Sequence, residues 1–221
     1  MRKLFYVLTI LFALAVSASA QTVRVGAFAG FTTAPDHESP NLFQDTRRLF
    51  PGVTASVELP FAKRFAFKVT GEASRTPQLP SLFTTDEGEH KPSAEVRVFP
   101  RLEVSFGRFF GAAGADGFYH FIPNPDYESY SRSFGINPTA TAGIRAGGNE
   151  VSFTYLFRDK GTDLYGYRGN IFRNFPRGIQ AGLEFNRLQY KERNREGYVD
   201  SYYETDNVFK FSVTKSFGGA K

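Results

Sequence analysis

Apolar and polar residues alternate along most of this chain with a period of two, the signature of a strand that has one greasy face. Val23, Val25, Ala27, Ala29 and Phe31 alternate with Arg24, Gly26, Phe28, Gly30 and Thr32. The same pattern recurs at 53–59, 65–73, 94–98, 102–106, 136–144, 151–157, 165–171, 179–185 and 209–213, which predicts ten strands. Short turns are predicted at 60–63, around Pro100, at 147–149 and at 174–177. Long polar segments at 34–48, 77–91, 116–133 and 193–204, with a shorter one at 159–163, join the other pairs. Short and long connections alternate strictly, as they do in transmembrane barrels with short turns at one end and long loops at the other. The predicted fold is all-β, an up-and-down antiparallel transmembrane β-barrel of ten strands, with eight as the alternative count.

The N-terminus breaks the pattern. Met1-Arg2-Lys3 is positive, Leu4 to Val16 is apolar, and Ala18-Ser19-Ala20 is a small-x-small cleavage signal. This predicts a secretory signal peptide over residues 1–20 and a barrel domain over 21–221. The apolar run is shorter than the ~20 residues of a spanning helix, and no later run reaches that length, which excludes a helical-bundle membrane protein. Without Arg2 and Lys3 the 27 basic residues fall to 25, against 22 acidic ones. So small and scattered an excess gives no argument for nucleic acid. Cysteine is absent, which rules out disulfides and thiolate metal sites.

Alternation alone does not say which face is inside. A soluble periplasmic barrel binding an apolar ligand shows the same period with an apolar interior. Three features favour the inverted, membrane version. The greasy face is rich in small residues (Ala27, Ala29, Ala55, Ala140, Ala142) that would fill a core poorly. Aromatics gather near strand ends (Phe61, Phe65, Tyr155, Phe157, Tyr165, Tyr167, Phe217) like an interfacial girdle. The polar face carries charges of both signs in mid-strand.

With its alternating hairpins, its N-terminal signal ending at Ala20 and a last strand Phe209-Lys210-Phe211-Ser212-Val213-Thr214-Lys215-Ser216-Phe217, the chain resembles the small bacterial outer-membrane β-barrel proteins. The resemblance implies outer-membrane lipid and the barrel-assembly machinery as partners. The machinery is taken to read a terminal aromatic in that family, whereas here Phe217 is followed by Gly218-Gly219-Ala220-Lys221.

The predicted lumen face carries Arg24, Glu58, Lys68, Glu72, Glu95, Arg97, Glu103, Arg145, Arg168, Glu184 and Lys210, five acids and six bases. Ten strands enclose little more than their own side chains. Charges confined there are expected to pair, because an unpaired buried ion is very costly. The expected result is a salt-bridged, largely closed lumen, with a narrow channel for small polar solutes as the alternative.

His37, His90 and His120 fall in predicted loops, two of them beside acids (Asp36-His37-Glu38 and Glu87-Gly88-Glu89-His90). Such clusters are the raw material of a rim enzyme, as in the ten-stranded outer-membrane proteases. No nucleophile elbow, metal-ligand spacing or cofactor motif accompanies them, so neither a catalytic residue, a metal nor a cofactor is assigned. Gly111 to Gly117 is glycine-rich without phosphate-loop spacing, and reads as a strand end entering a loop. Beyond it Phe118, Tyr119, Phe121, Tyr127 and Tyr130 make an aromatic stretch. It forms either a loop surface for an unknown ligand or an extension of the fifth and sixth strands.

Overall fold

The computed structural model describes residues 22–33, 48–76, 93–123, 130–158, 165–191 and 203–218. The predicted signal peptide and most of the long connecting segments lie outside them. Ten antiparallel strands follow one another along the chain: β1 (Thr22–Thr33), β2 (Arg48–Ala62), β3 (Phe65–Thr76), β4 (Ser93–Phe106), β5 (Phe109–Pro123), β6 (Tyr130–Ala146), β7 (Asn149–Leu156), β8 (Tyr165–Phe175), β9 (Ile179–Lys191) and β10 (Tyr203–Gly218). Each pairs with its sequence neighbours, and β1 pairs with β10, closing the barrel. The closing register is continuous from Thr22 opposite Gly218 to Thr33 opposite Asn207.

The number of strands agrees with the pattern, but two elements differ from it. Pro100 does not turn the chain: β4 runs through it, so the segments 94–98 and 102–106 belong to one strand. Proline cannot donate to a ladder. Accordingly the β4–β5 pairing skips Phe99 and Pro100, passing from Val98–Gly117 to Arg101–Gly114, while β3 pairs with β4 without interruption. The turn lies instead at Gly107–Arg108, with Gly107 at φ 63°, where a side chain would be strained. The second difference follows from the first. The glycine-rich stretch is the body of β5, not the mouth of a loop. Pro60 likewise lies within β2, where a register shift between Pro60 and Ala62 moves the turn to Lys63–Arg64.

The four short turns lie at one end of the barrel with both strand termini, Thr22 and Gly218. Each is tied to the strand that follows its hairpin. The Arg64, Arg108 and Gly148 carbonyls accept from the backbone N–H groups of Ser105 (2.8 Å), Arg145 (2.7 Å) and Asn174 (2.8 Å). The Arg177 carbonyl accepts from the Lys215 ammonium.

Alternation places large apolar side chains outside. Val25, Val53, Leu102, Ile136, Phe153, Ile171, Leu183 and Phe211 are all exposed. Rings touch across the outer surface from Phe31 through Phe209 and Phe185 to Tyr167 and Phe153, a belt crossing five strands. Among the described side chains within the strands, the charged ones that face outward lie towards the strand ends, at Arg75, Arg173, Arg187 and Lys215.

Candidate functional site: the charged lumen

Inward positions on several strands are occupied by Phe–Gly pairs. Phe28 lies opposite Gly52 and Phe50 opposite Gly30, and the two rings meet edge to face at 6.3 Å. Phe110 lies opposite Gly143, and Phe172 opposite Gly182. In all four pairs a Cβ on the glycine would overlap the ring. The glycine is what lets the ring lie flat along the wall instead of blocking the interior. The flattened rings then carry cations. Lys210 Nζ stands 5.1 Å above Phe28, and the Arg145 guanidinium 4.1 Å above Phe110. Arg168 sits 4.2 Å over Phe99 and Arg97 5.7 Å over Phe118. Cation–π contacts of this kind strengthen where water is excluded.

The charges fall into two linked groups. Nearer the short turns, Arg24 meets Glu58 at 3.4 Å, and Lys68 bridges Glu58 and Glu103, each at 3.1 Å. Arg145 extends the group to Glu103 (2.6 Å) and Glu150 (2.7 Å), and Arg101 joins Glu103 at 3.7 Å. Deeper in the barrel, Glu95 pairs with Arg97, which reaches Asp116 at 3.3 Å. Asp116 also meets Arg168 (3.2 Å), Arg168 meets Glu184 (3.7 Å), and Lys210 joins Glu184 (3.1 Å) to Glu72 (2.6 Å).

The first group has four bases and three acids, the second three bases and four acids, so the fourteen charges cancel. Three of these pairs connect strands that are not neighbours: Arg145 with Glu103 over β5, Arg168 with Asp116 over β6 and β7, and Lys210 with Glu72 over β1 and β2.

All eleven side chains expected on the lumen face take part in these pairs. Three participants are absent from the sequence reading: Arg101, Asp116 and Glu150. Arg101 and Glu150 adjoin positions read as turns, and Asp116 falls in the stretch read as a loop. Asp116 is 0% exposed, and Asn137 and Asn186 are buried with it. Arg168 Nε donates to Asn186 Oδ1 at 2.6 Å, and Asn137 Nδ2 donates to the Phe157 carbonyl at 2.8 Å. Towards the long-segment end, Phe118, Leu156 and Leu188 form a buried apolar cluster. Towards the short turns a polar cavity of about 560 Å³ reaches from Glu184 and Lys210 past Arg24 and Arg145 to Gly147 and Asn174.

The aromatic stretch divides. Phe118 lies in β5 with its ring buried inside, so it is not a loop-surface residue. Its inward parity follows from the strand continuing past Asp116. Tyr119 and Phe121 are also in β5 and Tyr130 begins β6, while Tyr127, His37 and His90 lie outside the described residues. Among the described residues no cluster of three His, Cys, Asp or Glu side chains could hold a metal.

Apolar side chains outside and ion pairs within invert the arrangement of a soluble barrel, whose interior must be apolar to hold an apolar ligand. The chain is a transmembrane-type β-barrel. No family model and no curated protein matches the sequence. Solved barrels do resemble it. The KdgM porin in complex with disordered oligogalacturonate is 10% identical at a TM-score of 0.40, over 90% of this chain and 99% of that one. The toluene transporter TbuX of Ralstonia pickettii is 8% identical at a TM-score of 0.42, over 93% and 91%. The attachment invasion locus protein Ail of Yersinia pestis is 8% identical at a TM-score of 0.37, over 90% and 100%. The ligands named for those barrels are theirs.

Proposed function

We propose that the protein is a non-enzymatic outer-membrane barrel of structural or surface-interaction type whose lumen is held closed by its ion pairs. In this reading residues 1–20 are the export signal, the barrel-assembly machinery inserts the chain, and outer-membrane lipid surrounds it. The observation that carries the closed lumen is Asp116, fully buried and shared by Arg97 and Arg168, which ties β4, β5 and β8 together. Charges of balanced sign, each paired with an opposite one, give a migrating ion no net field to follow. Purified protein in planar bilayers should therefore show no steady conductance, and reproducible open-channel steps would refute the closed lumen. Mass spectrometry of membrane-extracted protein should find Gln21 as the first residue, whereas retention of Met1–Ala20 would refute the export signal.

The polar cavity of about 560 Å³ favours a second reading, a narrow channel for small polar solutes, because the short-turn half of the lumen already has room for water. The same conductance measurement, repeated with small sugars and amino acids as permeants in liposome swelling, separates the two.

A further inference from the structure

Three of the four short turns carry exposed cations. Lys63 and Arg64 form the β2–β3 turn, Arg108 lies in the β4–β5 turn and Arg177 in the β8–β9 turn, all exposed. Arg173 and Lys215 face outward just above them. Among the described residues no Asp or Glu faces outward at this end. Glu58, Glu103 and Glu150, the acids nearest to it, all point inward to their own partners.

The backbone that carries the cations is held in place. The carbonyls of Arg64, Arg108 and Arg177 are three of the four tied to the following strands, which fixes the backbone beneath these side chains. Arg177 has φ 64°, a left-handed conformation that favours glycine or asparagine, and is followed by Gly178 at φ 71°. Arginine is a poor choice for making that turn and a good one for placing a charge at its tip.

Two further observations say what meets these charges. Exposed Phe61, Phe65, Phe106, Phe109, Phe175 and Phe217 lie directly beside the same turns, and the Phe61 and Phe65 rings meet, tilted, at 6.0 Å. The Arg173 guanidinium lies 5.5 Å over Phe175, an apolar anchor and a charge at one level. Charge along the sequence is also polarised. The five segments joining the strands at the opposite end (34–47, 77–92, 124–129, 159–164 and 192–202) contain thirteen Asp and Glu against five Lys and Arg. An apolar ring below a cationic ring matches the boundary where acyl chains give way to phosphate.

We infer that the short-turn rim is a collar that binds the phosphodiester headgroups of an anionic phospholipid leaflet. The collar rests on the membrane reading above and adds to it a lipid class and an end. Lys and Arg near a negatively charged leaflet attract it within about one Debye length. Arg adds paired N–H donors suited to phosphate oxygens.

The test uses full-length mature protein refolded into phosphatidylcholine vesicles containing trace spin-labelled phosphatidylglycerol or spin-labelled phosphatidylcholine. The motionally restricted fraction of each label reports which lipid contacts the barrel. The expected result is a several-fold preference for phosphatidylglycerol that shrinks as salt is raised. The combined variant K63Q/R64Q/R108Q/R177Q should bring it close to unity, and R64K/R108K/R177K should retain it. Neutralising the outward cations nearer the opposite end, R75Q/R187Q, should leave it unchanged. No preference in the wild type, or one that survives the glutamine variant or disappears in R75Q/R187Q, overturns the collar alone. Failure to insert into either vesicle overturns the membrane reading and the collar with it. Wild-type protein in detergent that instead binds an insoluble anionic glycan, and loses that binding in the glutamine variant, would reassign the rim to a wall polymer and overturn the lipid assignment.

Discussion

Replacing Asp116 with alanine should lower the unfolding free energy of the barrel by about 3 kcal/mol, the lower end of the range for removing one partner from a buried ion pair. Asp116 is fully buried, and its Oδ2 accepts from both Arg97 Nη1 (3.3 Å) and Arg168 Nη2 (3.2 Å). Without it two guanidinium groups face each other with one fewer anion between them. The loss is limited because each arginine keeps another acid, Glu95 for Arg97 and Glu184 for Arg168. Urea unfolding of protein refolded in detergent provides the measurement. The double variant Asp116→Ala/Arg168→Ala should recover part of the loss, since one of the stranded charges leaves with its partner. A change below 0.5 kcal/mol in the single variant, smaller than the ~1–3 kcal/mol of an ordinary buried hydrogen-bond loss, would mean that water already fills the site.

The second large effect lies on the opposite face of the wall. Ala142 is exposed on the outside of β6, between Gly111 of β5 and Phe153 of β7. Ala142→Arg should cost about 2–4 kcal/mol towards the bilayer midplane. Ala142→Phe should be tolerated, because nothing rigid packs on that side and lipid welcomes the added apolar area. Were the greasy face a packed core, the ring would cost about 1–3 kcal/mol as well. The discriminating result is therefore the gap between the two variants in urea unfolding from lipid. Destabilisation by phenylalanine close to that by arginine would refute the membrane-facing assignment.

Most of the barrel is legible in the sequence because a period of two survives wherever the two faces differ in polarity. It fails in β5, for a definite reason. The outward residues Gly111, Ala113, Ala115 and Gly117 are as small as the inward Ala112 and Gly114, so no contrast marks the strand. Pro100 misleads in the opposite direction. As a turn signal it divides β4 in two, and the extra strand offsets the one lost. The total of ten is thus reached from two local errors that cancel. The charged lumen is legible for the same reason as the strands: charges at alternate positions of an apolar wall have one place to go. Asp116 escapes because it belongs to the illegible strand. No sequence signal pairs it with Arg97 and Arg168, which are 19 and 52 residues away.

Nine of the ten seams join neighbours in the chain, and each can zip by local contact. The tenth, Thr22 to Gly218 through Thr33 to Asn207, brings together the two ends of the folded sequence. Local hairpins form quickly, whereas a closure with so large a loop entropy comes late. Lys210 and Glu72, separated by 138 residues, sit on either side of that seam, with β1 and β2 between them. Their contact can exist only in the closed ring. Until the seam closes, Lys210 holds Glu184 alone on the neighbouring strand, and Glu72 is parted from its cation. Completing the circle therefore makes the wall and gives Glu72 its cation in one step, so the open sheet has an electrostatic reason, beyond its unpaired edges, to be short-lived.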